Sequence, residues 1–486
     1  VFLGVDIGSQ SVKALILDRA FRPVGFGSAP LSFIAGPANA VEQNPQHWLD
    51  ALHPAIAEAL QSAGTSRESI LSLGIGGQLD GCLPVDGAGQ PLHSCLTWMD
   101  RRADAEAELV PAEVIRRRCG LIRDPSHMGA KIAWFQRNMP YLSHRTALYH
   151  QPVSFVVQQL TGAAIMDRAL ASTTMLYDLK ERDWSNELLV GFGINATSLP
   201  ALGQMTDAAG TLNSAGARLS GLEVGLTVAV GTGDDFTNAI GAGLLSPGGM
   251  LCQVGTGEVV GALHHECIVD EGRLLETHQF TEGTFFIENP GWLSGGAIAW
   301  LSQLLRLSGL DELNELARAV PPGAEGVLFI PALTGAMAPE WNADVHACFH
   351  NLQTHHKAGH LIRAVLEGTA FAMRDVQLRL ADMGVRTERI ILAGGGANSK
   401  LWAQIRADVA QLPVNVSETR DASPLGAAIL GAVAIGAIRS TGDAEPHLPP
   451  TRAHLFPEST LARTYQDAYS NYHRLFAHLK SMASRQ

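Results

Sequence analysis

The chain has 486 residues, of which 46% are hydrophobic and 17% charged, and it carries a formal net charge of −12. That composition buries a large core and excludes a disordered chain, while the length exceeds one ordinary core and predicts two large domains. The acidic balance argues against a nucleic-acid or anionic-membrane partner, but it allows an enzyme for phosphorylated ligands whose anion-binding groups are backbone amides and a metal.

The first segment, VFLGVDIGSQSVKALILD, holds an apolar run from Phe2 to Val5 that reaches Asp6, a Gly8 to Ser11 turn, and a second apolar run from Val12 to Leu17 closed by Asp18. This predicts a β-hairpin whose turn offers N–H groups and hydroxyls beside one carboxylate. Such a turn can hold phosphate oxygens, and Asp6 can hold a hydrated Mg²⁺ that bridges them. The same residues also fit an ordinary exposed hairpin with an Asp at its mouth.

A helix follows over Pro45 to Ser62, with Trp48, Leu49, Leu52, Ile56 and Leu60 at helical spacing. Next come a strand from Ile70 to Gly74, a Gly76-Gly77-Gln78 turn, a strand near Cys82 to Val85 and a tight turn at Asp86 to Gly89. Helical patterns fill much of Ala103 to Leu160. The strand Leu226 to Val230 runs into Gly231-Thr232-Gly233-Asp234, and Asp235 to Leu245 reads as a small-residue helix.

The breaker cluster Ser246-Pro247-Gly248-Gly249 marks the expected domain boundary, giving domains over 1–245 and 246–486. Beyond it, Met250 to Val254, the Gly255-Thr256-Gly257 turn and Val259 to Leu263 repeat the design of the opening hairpin, so a duplicated architecture is expected. A third glycine turn, Gly394 to Ser399, follows the strand Ile390 to Ala393 and precedes a helix from Leu401, a geometry that suits close backbone approach to a nucleotide. No GxGxxG fingerprint with its later acid and no GxxxxGK[ST] is present, which argues against a Rossmann dehydrogenase or P-loop enzyme. Three glycine turns spread over both halves instead suggest one nucleotide gripped between two domains.

The cysteines (Cys82, Cys95, Cys119, Cys252, Cys267, Cys348) lack paired spacing, which predicts reduced thiols in a cytoplasmic protein. His264-His265-Glu266-Cys267 offers metal-type donors, but neighbouring side chains on a strand face opposite ways, so no zinc site is expected there. No basic n-region precedes the first apolar run, so no signal peptide is expected. The longest apolar stretch, Leu425 to Ile438, is too short to span a bilayer and reads as a buried helix packed through Gly426, Ala427, Gly431 and Gly436.

Taken in order, these segments resemble the FGGY carbohydrate kinase family of the actin-like ATPase superfamily, over nearly the whole chain. GVDIGSQSVKALILD resembles the family's first phosphate hairpin, QVGTGEVVG its second, and LAGGGANSKLWAQIRADV its adenosine-binding segment. VEQNPQHW, WMDRR, RDWS, the Lys131-to-Trp134 segment and the span Ala347 to Glu367 match further family stretches, with Met128 in place of a small or Pro residue and Asn351 in place of the usual Gly. The resemblance implies an α/β fold of two duplicated ribonuclease H-like domains with a cleft between them. It also implies transfer of the γ-phosphoryl group of ATP to a sugar hydroxyl, with Mg²⁺ as metal. Many relatives are dimers; the oligomeric state is not written in the sequence.

Residue by residue, the resemblance makes Asp234 the catalytic base that accepts the hydroxyl proton. The competing reading of Asp234 is a helix N-cap worth about 1 kcal/mol. Asp6, with Asp234, would hold the metal. Gly8, Ser9 and Ser11 would face the phosphates together with Gly255, Thr256 and Gly257, while Gly394, Gly395, Gly396 and Asn398 would take the adenosine. Lys13 sits in the returning strand, where it either meets phosphate or points to solvent.

Gln78, Leu79, Asp80, Asp100 and Asp235 are the expected sugar-binding residues. Gly77 to Gly81 is similar to the GQMHG stretch of xylulokinases, but Leu79 and Asp80 replace its Met-His pair, and Asp235 stands where those enzymes usually have Asn. Leu79 also lacks the guanidinium of the Arg-Glu pair in glycerol kinases. Xylulose is therefore the nearest acceptor, with other pentuloses or four- to five-carbon polyols as alternatives; the competing reading of Asp80 is a turn residue before Gly81. Gly335-Ala336-Met337 lacks the Gly-Glu-Arg of many relatives. Asp6, Asp80, Asp234 and Asp235 around one cleft would raise each other's pKa values without cations. Two rival classes are a nucleotide-binding regulator of the actin-like superfamily, which needs no carboxylate at Asp234, and a kinase fold that binds sugar without turnover.

Overall fold

The computed structural model describes residues 1–36, 39–419 and 421–483. Phe2–Ile7 (β1) and Ser11–Leu17 (β2) pair antiparallel with Asp6 opposite Lys13, and Pro23–Pro30 (β3) extends the meander. On the other side of β1, Ser72–Gly77 (β4) runs parallel to it. Ala208–Thr211 (β5), Thr227–Ala229 (β6) and Thr232–Gly233 (β7) complete a seven-stranded sheet in the order β5-β6-β4-β1-β2-β3, with β7 added to the end of β4.

The second sheet repeats this plan. Its strands are Gly248–Val254 (β8), Gly257–His264 (β9), Glu276–Gln279 (β10), Phe285–Leu293 (β11), Thr387–Ala393 (β12), Val414–Ser417 (β13) and Thr451–Leu455 (β14). They lie in the order β10-β11-β9-β8-β12-β13-β14. Each sheet has an antiparallel three-strand meander, two parallel strands and an antiparallel edge strand. The duplication expected from the two hairpins is therefore present in topology although the residues differ. One addition is specific to the second sheet: β10 pairs outside β11, with Glu276 directly opposite Glu288.

Helices cover the sheets where apolar spacing demands it. Pro45–Ala63 (α1) is capped by Asn44, whose side chain accepts the Gln46 N–H at 3.0 Å, and it buries Trp48, Leu49, Leu52 and Ile56. It lies so close to β3 that a Cβ at Gly27 would sit 2.2 Å from the Ala55 carbonyl oxygen. Met128–Asn138 (α2) is one of several short helices in the region expected to be helical. Asp234–Ala242 (α3), Ala358–Asp382 (α4), Lys400–Ala410 (α5) and Ala422–Ala434 (α6) follow.

Helix α6 comes late in the sequence yet packs on the first sheet, against β1 and β4, and against α3. The approach is backbone to backbone: a Cβ at Gly4 would meet Pro424 O at 1.9 Å, and one at Gly74 would meet Ala427 O at 1.7 Å. Gly241 and Gly426 allow the same closeness between α3 and α6. A buried cluster with Phe2, Phe236, Ile240, Leu251, Phe286, Ile391, Leu425 and Ile429 joins both sheets at this seam.

Three local expectations are corrected. Gly76 and Gly77 belong to β4, paired with Asp6 and Ile7, and are glycines because a Cβ would strike Thr237 Oγ1 or Ile7 O within 3 Å. Asp234 is the first residue of α3 and Gly233 takes the N-cap position, so Asp234 is no N-cap. Gly436 lies beyond α6 in a left-handed turn (φ 70°) with open space around it, so it does no close packing. Among the described residues, no helix is long and apolar enough to cross a membrane.

Candidate active site

The opening turn is closed by the Gly8 N–H donating to Ser11 O at 3.1 Å. Ser9 is held from two sides: its carbonyl accepts from Gln43 Nε2 at 2.7 Å and its hydroxyl from Trp98 Nε1 at 3.1 Å. Asp6, buried at the end of β1, accepts the Ser423 hydroxyl at 2.9 Å. Burial pushes its carboxyl up, against the opposing pull of Ser423 and Lys13. Lys13 itself donates to Asp421 at 2.7 Å, which ties the returning strand to the start of α6. Its ammonium is thus spent on a carboxylate within the fold.

The second turn is closed by Gly255 N–H to Gly257 O at 2.8 Å, and Thr256 O accepts the Gly296 N–H at 2.8 Å. Gly394 (φ 85°) and Gly396 press on Val254, where a Cβ would come within 2.6 Å and 2.3 Å of its atoms. Ser399 caps α5 by accepting from Trp402 N. These turns enclose a cavity of about 290 Å³ whose walls include Gly255, Thr256, Gly395 and Gly396, with Leu310, Leu313, Leu366 and Trp402 as its apolar side. Gly257 and Gly394 flank it, while Asn398 is engaged by Arg452 at 2.9 Å.

Asp234 and Asp235 open α3, both half-buried. Burial, then the charge of Asp6, pushes Asp234 up to about 7 despite stabilising backbone N–H groups. Burial, then the charges of Glu288 and Asp234, holds Asp235 well above the usual carboxylate range. Leu79 packs against Gly233. Gln78 is buried and donates to Gln43 at 2.6 Å, so it links this loop to the Ser9 turn. The Asp100 side chain, fully buried, accepts from Val41 N (2.8 Å) and from Arg102, which also pairs with Glu42 at 2.7 Å.

Asp80 adopts a left-handed backbone (φ 58°), held by Gln151 Oε1 accepting its N–H at 2.8 Å and by Lys131 Nζ donating to its carbonyl at 2.6 Å. The same buried ammonium donates to Thr97 O at 2.7 Å and to Ser126 O, joining three loops. The Asp80 carboxylate meets His127 Nδ1 at 3.1 Å. Burial opposes a charged His127, but Asp80, by charge and hydrogen bond, and then Glu276 outweigh it and hold the imidazole well above its ordinary value. His278 behaves alike: burial opposes its charge, and Glu288 followed by Glu276 raises it.

His127, Glu276, His278 and Glu288 were not among the expected site residues. Glu276 and His278 sit two apart on β10, so the period-2 rule puts them on one face. Only the pairing of β10 with β11 brings Glu288 opposite them. Another set of metal-type donors, Glu325, His356 and His360, gathers at the start of α4. There Gln353 N and Lys357 N each donate to an imidazole Nδ1 at 3.0 Å. With Nδ1 accepting, each ring carries its proton on Nε2 and offers no lone pair there to a metal; His360 Nε2 faces Glu325 at 3.4 Å.

Compared with known proteins, residues 1–241 match the model of the FGGY family of carbohydrate kinases, N-terminal domain, and residues 250–435 that of its C-terminal domain. The chain belongs to the FGGY family of carbohydrate kinases. It is 27% identical to the xylulose kinase of Escherichia coli (strain K12), with 99% of each chain covered. It is 28% identical to the gluconokinase of Bacillus licheniformis, covering 96% of this chain and 93% of the relative. A solved structure of a xyloylose kinase from Brucella ovis superposes with a TM-score of 0.93 at 30% identity, covering 99% of both chains. The two-domain α/β fold of this FGGY kinase is thus that of its solved relatives, and the chain is a sugar kinase of a family that uses ATP.

Proposed function

We propose that the chain transfers the γ-phosphoryl group of ATP to a terminal hydroxyl of a pentulose, xylulose first, with a four- to five-carbon polyol as the second acceptor class. Similarity to xylulose kinases supports the pentulose; Leu79, Asp80 and Asp235, all departures from the xylulokinase stretch, support keeping the polyol. The two domains, parted between Leu245 and Ser246, close on ATP and acceptor. Six free cysteines support work in a reducing compartment, the cytoplasm.

The observation that carries the reading is Asp234: half-buried at the head of α3, beside Asp6, with its carboxyl raised to about 7. A base with that affinity takes a proton at neutral pH and gives it up again. In the reaction, the acceptor oxygen attacks the γ-phosphorus, the bond to the β,γ-bridging oxygen breaks, and Asp234 receives the hydroxyl proton. Adenosine occupies the cavity walled by Leu313, Leu366 and Trp402, and the amides of the Gly8–Ser11 and Gly255–Gly257 turns meet the phosphates. Mg²⁺ fits beside Asp6 and Asp234, whose carboxyls are pushed up by burial and, for Asp234, by the Asp6 charge, while Lys13 is spent on Asp421. Bound there, the ion neutralises phosphate charge.

ADP release measured over a panel of pentuloses, polyols, glycerol and gluconate tests the proposal. Stimulation by a ketopentose or a short polyol is expected. If no acceptor raises ATP turnover above the water background, the reading fails.

A further inference from the structure

Beside Asp234, carboxylates and imidazoles alternate across the two domains. Asp80 Oδ1 lies 3.1 Å from His127 Nδ1, and His127 Nε2 lies 3.8 Å from Glu276 Oε1. Glu276 Oε2 lies 3.9 Å from His278 Nε2, which in turn meets Glu288 Oε1 at 3.1 Å. All five residues are buried. Asp235 adjoins the end of the chain, with Glu288 the foremost charge acting on it.

Charge runs one way here. With each imidazole holding a proton between carboxylates, the three carboxylates Asp80, Glu276 and Glu288 face two cations. Both ring nitrogens of His127 face carboxylate oxygens, and the nearby Lys131 ammonium is consumed by backbone carbonyls. Two buried atoms of the set are without a partner, Glu288 Oε2, an acceptor, and His278 Nδ1, a donor on the protonated ring. A ligand hydroxyl both donates and accepts and so matches both atoms, whereas a ligand carboxylate would bring a further negative charge into a low-dielectric site whose two imidazoles already serve three carboxylates.

We propose that Glu276, His278 and Glu288 of the second domain, joined through His127 to Asp80, make the acceptor pocket selective for uncharged polyhydroxy acceptors and closed to aldonates. This rests on the sugar-kinase reading of the cleft and narrows its substrate. It separates the chain from its gluconokinase relatives on grounds that 28% identity cannot supply. Two carboxylates of the second domain thereby act as specificity-determining residues for a site whose expected acceptor residues, Gln78, Leu79, Asp80, Asp100 and Asp235, all come from the first.

The test uses calorimetry on the full chain with Mg²⁺ and a non-hydrolysable ATP analogue, comparing alditols with the aldonates that differ only in one terminal carboxylate: erythritol with erythronate, ribitol with ribonate, xylitol with xylonate, glucitol with gluconate. In every pair that binds, the alditol is expected to bind about a hundredfold more tightly. In Glu288→Gln that ratio is expected to fall about tenfold; Glu276→Gln serves the same purpose if the first variant melts early. An aldonate that binds as well as its alditol overturns the proposal, as does the absence of binding by xylulose and by every alditol. A ratio unmoved in both folded variants overturns the assignment to these residues. The kinase reading fails separately, if acceptors bind but no phosphorylated product forms with ATP.

Discussion

Arg406 on α5 closes on Glu258, the first residue after the Gly255–Gly257 turn, through Nη1 to Oε1 and through Nη2 to Oε2 at 2.7 Å, with both side chains fully shielded from solvent. Removing the guanidinium leaves Glu258 buried and alone, which costs about 3–5 kcal/mol. Arg406→Met should lower the urea midpoint accordingly, and Glu258→Gln combined with it should recover much of the loss. Equal midpoints for the single and double variants would show that the pair does not act through its charge.

Asp234→Asn keeps the shape of the first turn of α3 but cannot take a proton. Its kcat should fall by about 10²–10⁴ with KM for the acceptor within about threefold, as measured by ADP release. Retained kcat would exclude Asp234 as the base.

The raised carboxyl of Asp234 also links stability to pH. Its folded pKa of about 7 lies above the unfolded value of about 4, so between these values the folded state holds a proton that the unfolded state has released. The contribution of this group to stability therefore falls as pH rises from about 4 to about 7. With its partial exposure, the cost at pH 8 is about 1–2 kcal/mol. Without ligands, Asp234→Asn should melt about 2–5 °C above the parent at pH 8 and level with it at pH 4.

Ser423 holds the Asp6 carboxylate from the far end of the chain. Its hydroxyl favours the charged form, so its loss should weaken cation binding beside Asp6. In Ser423→Ala the Mg²⁺ concentration for half-maximal turnover should rise about tenfold, while the adenosine cavity, built from other elements, keeps its affinity for the nucleotide base. An unchanged Mg²⁺ requirement would rule out a role for Asp6 beside the metal.

What could be read from the sequence was what is local. The two hairpins and the Gly394–Ser399 turn need only neighbouring residues, and they lie where spacing put them. Gly76 and Gly77 look like a turn in the sequence because the reason for them, the closeness of Thr237 and Ile7, is a tertiary one. Burial is the first cause of the raised carboxyls; the expectation that clustered carboxylates raise each other's pKa values holds beside it for Asp234, through Asp6, and for Asp235, through Asp234 and Asp80, whereas Asp6 is raised by burial and by Asp421. The cations that moderate the cluster, His127 and His278, could not be found by spacing, since one follows a loop of the first half and the other enters from β10 of the second.

Helix α6 lies in the half of the chain matched by the C-terminal family model, yet its backbone seats on Gly4 and Gly74 of the first sheet. A polypeptide ending at Leu245 would have glycine-floored furrows with nothing to fill them, and Asp6 and Lys13 would lose Ser423 and Asp421. The halves are therefore copies in plan without being separable modules. Exchanging one of them with a relative requires the donor's counterpart of α6 to thread the recipient's furrow, so recombination between family members is constrained at this helix more than at the loop that joins the halves.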